Sequence, residues 1–123
     1  MDRPRISGFN LRATSGKLKI LREMGQYAHQ TNWILTDMPI YAFRVGKPVP
    51  PIVATFSSKR LATGSLTEVD ILAAMREYQP EQVMMARFEI PALEQYLSEH
   101  YTLVTSEEFF RLFLRNDLLS TTE

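Results

Sequence analysis

The sequence predicts an α/β domain: a mostly parallel or mixed sheet of four to five strands, with helices on both faces. Three observations predict it. Short apolar runs of strand length alternate with longer stretches of helical periodicity, the pattern of strand–helix–strand units. The chain has 123 residues, one domain's length, and at that size folding buries about two-thirds of the unfolded surface. No apolar run approaches the ~20 residues that a membrane span needs.

Taken in order, residues 1–14 hold Pro, Gly, Ser and three arginines before any clear periodicity, and read as a flexible lead-in. Residues 15–30, "SGKLKILREMGQYAHQ", place Leu18, Leu21, Met24, Gly25 and Ala28 at helical spacing. Thr14 or Ser15 can cap that helix, and Gly25 suggests a close approach on its inner face. "WILT", residues 33–36, is too short for a helix and reads as a buried strand ending at Asp37. After Pro39, Ile40–Val45 fits a second strand or a short helical turn, and "GKPVPP" is a proline-shaped loop. "IVATF", residues 52–56, is β-branched and aromatic and reads as a strand.

The clearest signal follows. Gly64-Ser65 closes a turn, and Ser65 or Thr67 caps a helix with Glu68 and Asp70 in its first turn. Leu66, Val69, Leu72 and Ala73 continue at helical intervals until Pro80 stops the helix. "QVMMARF" reads as a strand, and "IPALEQYLSEH" as a helix with Pro91 in its first turn. "YTLVTS" and "EFFRLFLR" form a final strand pair, and residues 116–123 a polar tail. The domain therefore runs over 15–115, as a small three-layer, Rossmann-like sandwich.

Composition narrows the function classes. Lys+Arg and Asp+Glu are 14 each, so there is no basic excess for a general grip on nucleic acid, although a local basic patch stays open. With no cysteine, thiolate chemistry and disulfides are excluded, and the redox compartment is left open. The basic N-terminus lacks the apolar core of a secretory signal.

The candidate site residues lie at strand ends. Asp37 closes the first strand at its carboxyl end, where open α/β sheets place ligands; Thr36 and Tyr41 stand beside it. Asp37 then contacts a polar ligand, or else caps the turn before Pro39. Ser57, Lys59 and Arg60 in "SSKR", with Arg44 and Lys47, can hold a phosphate or a lipid headgroup, or form a solvated loop. No carboxylate pair, nucleophile elbow or Gly-rich phosphate loop occurs, and His29 and His100 stand alone, so no catalytic residue and no metal site is expected. Phe109, Phe110 and Phe113 alternate with Arg111 and Arg115, a pattern of core strand packing more than of base stacking.

The order of "ILTDMPIYAFRVGKPVPP", "FSSKRLATGSLTEVDILAAMREYQPEQVMMARFE" and "LEQYLSEHYTLV" resembles the C-terminal soluble domain of integral-membrane GT-C class glycosyltransferases. These look like dolichyl-phosphate-mannose protein mannosyltransferases and bacterial aminoarabinose transferases. The likeness spans roughly residues 17–115 and rests on Thr36-Asp37, Tyr41 to Gly46, Pro50-Pro51, Lys59-Arg60 with Gly64, the helix from Thr67, and "HYTLV". It implies a domain outside the cytoplasm, attached to a membrane part that binds a polyprenyl-phosphate sugar donor and holds the catalytic carboxylate. None of the family's catalytic residues maps onto this chain, so the fragment is expected to be non-catalytic and to carry no cofactor. The implied roles are covering the active site or helping to hold an acceptor glycan or lipid headgroup. The competing expectations are a free-standing Rossmann-like module for a nucleotide or sugar phosphate, and an enzyme using Asp37 as base or metal ligand.

Overall fold

The computed structural model describes residues 16–120. The lead-in read at 1–14, the candidate caps Thr14 and Ser15, and the end of the tail at 121–123 lie outside the described residues. The fold is mixed α/β around one four-stranded mixed sheet. Helix α1 covers 16–26 and leads through a 3-10 turn at Ala28–Gln30 into strand β1, Ile34–Thr36. Helices α2 (Pro39–Arg44), α3 (Ser58–Thr63) and α4 (Glu68–Tyr78) precede β2, Gln82–Met85. Helix α5 (Pro91–His100), the hairpin β3 (Tyr101–Glu107) and β4 (Phe110–Arg115), and a short helix α6 (Asn116–Ser120) complete the order. The described part of the polar tail is thus helical, with Arg115 gripping Asp117 at 2.6 Å.

The strand order is β1-β2-β4-β3. Only β1 and β2 are parallel; β4 runs antiparallel to both β2 and β3. Sheet alternation sends side chains to two cores. Leu35, Val83, Met85 and Phe113 pack with Ile71, Ala74 and Met75 of α4 and Leu93 and Leu97 of α5. Ile34, Met84, Phe110 and Leu112 pack on the other face with Ile20 and Met24 of α1 and Tyr41 and Ala42 of α2. Period-two alternation is why neighbours in one strand join different cores.

Local chemistry explains the helix boundaries. Thr67 accepts from Asp70 N while the Asp70 carboxylate accepts from Thr67 N, a capping box that starts α4. Gln79 then takes a left-handed conformation, φ 46°, ahead of Pro80. Ser57 caps α3 by accepting from Arg60 N, and Gly64 ends it at φ 80°, where a side chain would be strained. Pro39 and Pro91 open α2 and α5.

Two local expectations change, and one open alternative is resolved. Residues 52–56 form no strand: Pro51–Val53 is a 3-10 turn. The outer edge of β1 is already bonded there, Ile34 N–H to Pro48 carbonyl, and Pro48, Pro50 and Pro51 have no N–H to offer a ladder. Val53 and Phe56 still enter the core, three residues apart. Ile40–Val45 takes the helical alternative, as α2. On α1 the inner face is Ile20 and Met24, whereas Leu18 and Gly25 are exposed and nothing approaches Gly25. That face forms because α1 lies on the Ile34–Met84–Leu112 side of the sheet, which Ile20 and Met24, one turn apart, meet fully and Leu21 in part.

Candidate functional site

The carboxylate of Asp37 is wholly buried and faces main chain. Its Oδ1 accepts from Ala86 N at 2.9 Å, and its Oδ2 from Arg87 N at 2.7 Å and Phe88 N at 2.8 Å. One side chain after β1 thus pins three successive amides after β2. Thr36, also buried, accepts from Met38 N at 3.0 Å and shapes the turn into α2. Charge-assisted bonds of this kind are roughly twice as strong as neutral ones.

Glu81, just ahead of β2, does the converse. Its Oε1 accepts from Asn32 N (2.9 Å) and Trp33 N (3.1 Å), and its Oε2 from Asn32 Nδ2 (3.1 Å), all ahead of β1. Strand β1 pairs with β2 at only three positions. The two carboxylates therefore close the short parallel pair at its two ends, each by binding the other strand's flank. Both are buried, with each oxygen bonded to protein N–H groups.

The remaining residues of the sequence reading scatter. Tyr41 is buried against Phe110, ring centroids 5.5 Å apart, and that burial raises its phenol above the ordinary value. Ser57 caps α3. Arg60 ties its guanidinium to the carbonyls of Ile52 (2.9 Å), Thr55 (2.6 Å) and Ser65 (3.3 Å), which fixes the proline-rich loop to α3. Lys59 is exposed on α3. Arg44 is exposed on α2, beside Ile40 and Phe43. The structure does not bring these seven residues to one point.

What Asp37 holds is the floor of a cleft of about 540 Å³ at the carboxyl end of β2. Arg87, Phe88 and Glu89 come from the pinned loop; Ser106, Glu108, Phe109 and Arg111 come from the β3–β4 hairpin. Such a volume suits a small ligand. Arg111 forms a two-pronged pair with Glu94 of α5, 2.9 and 2.7 Å, and that bond, with Glu89 and Asp37 nearby, holds its guanidinium still more firmly protonated. Arg87 lies over the Phe88 ring at 4.8 Å and donates to Phe56 carbonyl at 3.3 Å. Phe109 stacks on Phe110 at 4.7 Å and leaves much of its ring exposed.

The cleft presents two cations, two carboxylates, a hydroxyl and exposed aromatic surface. Those groups can hydrogen-bond a polyhydroxylated ligand and flank its apolar side. Among the described residues no group of three or more His, Cys, Asp or Glu is placed to hold a metal ion. The sequence reading chose this sheet edge through Asp37 but passed over Arg87–Glu89, of which it absorbed Arg87 and Phe88 into a strand. The carboxyl-end rule that selected Asp37 selects Arg87 too, once β2 is known to end at Met85 and to run parallel to β1.

No protein-family model matches the chain, and searches of curated proteins and of solved structures return no match.

Proposed function

We propose that this chain is the non-catalytic, extracytoplasmic C-terminal domain of a membrane glycosyltransferase that uses a polyprenyl-phosphate sugar donor. In this reading its fold is a Rossmann-like sandwich reduced to one parallel pair, and its partner is the membrane-embedded part of the same parent chain. The 86–89 and 106–111 cleft helps to hold the acceptor, next to an active site that the membrane part supplies. The ordered resemblance over residues 17–115 suggested the class. The observation that carries the non-catalytic role is the use of the two buried carboxylates: Asp37 and Glu81 each accept three protein N–H bonds. A general base or a nucleophile must reach substrate, and both carboxylates are buried and bonded into the fold.

The test is the native gene and its product. The reading expects hydrophobic spans encoded in frame upstream, and sugar transfer from a polyprenyl-phosphate donor by membranes carrying the whole protein. A native reading frame that starts at Met1 would overturn it.

One observation favours a second reading, a free-standing module for a nucleotide or sugar phosphate. Arg87 is exposed at the carboxyl end of the parallel pair, where a phosphate would be met. Amide shifts at Arg87 and Ser106 with nucleotides or sugar phosphates, from a gene without upstream spans, would select it.

A further inference from the structure

On the other side of the sheet, α1 and α2 form an apolar groove that nothing covers among the described residues. It is lined by Leu21, Ile40, Phe43, Arg44 and Val45. Phe43 is 77% exposed and Ile40 50%, one helical turn apart on the outer side of α2; Leu18, one turn before Leu21 on α1, is 54% exposed. Gly25 sits one turn past Leu21 with open space above it, so α1 offers no bulk to close the groove. An isolated exposed leucine needs no explanation, but a contiguous apolar surface built from two helices does.

The charges around this surface have one sign. On α1, Lys17 and Arg22 fall by helical spacing on either side of Leu18 and Leu21, while Glu23 falls on the opposite side. Arg44 lines the groove itself, and Lys47 follows in the next turn. Residues 38–67 contain no Asp or Glu. Four of the fourteen cations, Lys17, Arg22, Arg44 and Lys47, thus lie on or next to the two helices that carry the apolar ridge. Apolar side chains that can enter the acyl boundary, framed by Lys and Arg that meet phosphates, suit an anionic lipid surface. A protein partner that buried this ridge would have to offer carboxylates to four cations at once.

We infer that the Leu18–Leu21–Ile40–Phe43 surface docks on an anionic bilayer, with Phe43 as the deepest side chain and Lys17, Arg22, Arg44 and Lys47 against the headgroups. The inference stands on this surface alone and does not need an upstream membrane part. The experiment is flotation of the 123-residue chain with protein-free vesicles of phosphatidylcholine, alone or with about one-third phosphatidylglycerol. The chain is expected to float with the anionic vesicles, to release as salt is raised, and to stay behind with the neutral ones. Phe43→Ser should weaken partitioning by about tenfold, and Arg44→Glu by about fivefold or more, with unchanged circular dichroism. Equal binding to both vesicle types, binding unaffected by Phe43→Ser, or no binding at all would overturn it. So would a dimer in light scattering that Phe43→Ser dissolves, which would assign the surface to a second copy. Gene context decides the glycosyltransferase reading separately, so the two can fail independently.

Discussion

Asp37→Ala removes the acceptor of three adjacent amides without touching the cleft-facing side chains. The bonds at 2.7, 2.8 and 2.9 Å are lost together, at a side chain that is wholly buried. A stranded buried N–H costs about 1–3 kcal/mol, but loop 86–88 is partly exposed and can recruit water, so the sum overshoots. About 3 kcal/mol is the expected loss, near 12 °C in Tm at ~4 °C per kcal/mol for a domain of this size. Asp37→Asn should lose less, about 1–2 kcal/mol. Its oxygen can serve Arg87 and Phe88, while its amide nitrogen faces the Ala86 N–H donor to donor. The assay is urea unfolding followed by circular dichroism, with amide exchange at Ala86, Arg87 and Phe88. A midpoint for Asp37→Ala within ~0.5 kcal/mol of the parent would refute the clamp and return Asp37 to the pool of ligand contacts.

Three further outcomes follow from the same geometry. Glu81→Gln should cost about 1–2 kcal/mol, raising exchange at Asn32 and Trp33 but not at Arg87, because each carboxylate serves a different end of the pair; equal loosening at both ends would contradict this. Tyr101 is buried and donates to Pro80 carbonyl at 2.6 Å, and burial pushes its phenol well above the ordinary 10.0. The unfolded chain then releases that proton first, so stability is full below pH ~10 and falls above it; unfolding across alkaline pH should show a shallower fall in Tyr101→Phe, with Tyr41 the remaining contributor. Arg60→Lys keeps the charge but cannot span the Ile52, Thr55 and Ser65 carbonyls, so thermal unfolding should register a loss of about 1 kcal/mol.

The parts of the fold set by local chemistry were legible. Thr67, Asp70 and Pro80 bound α4 as their residue types demand, and the "QVMM" run is a strand buried throughout. What failed was decided by partners far along the chain. "IVATF" has strand composition, yet the Pro48 carbonyl occupies the edge it would have joined. The burial of Ile20 instead of Leu18 depends on where α1 meets the sheet, which periodicity over three turns leaves ambiguous. The dominance of antiparallel pairing follows from β4 entering between β2 and β3, a long-range choice with no local signal.

The candidate site was half legible. Asp37 was found because an acid at the end of an apolar strand is conspicuous, but its spacing to Ala86–Phe88 is about fifty residues and invisible in a window. The two readings of "SSKR" also resolve by long-range bonding: Arg60 and Ser57 serve the loop and helix around them. Arg44, selected for a headgroup, lies on the apolar α1–α2 groove.

The central claim is that binding belongs to the cleft which Asp37 supports, and not to Asp37 itself. It is tested most directly by amide-shift titration of the chain with a short-chain polyprenyl-phosphate sugar and with acceptor glycans. The account predicts shifts at Arg87, Phe88, Glu89, Ser106 and Phe109 on addition of the acceptor, with Ser57 and Lys59 unmoved. Shifts centred on Thr36, Asp37, Ser57 and Lys59, with the 86–89 loop silent, would contradict it.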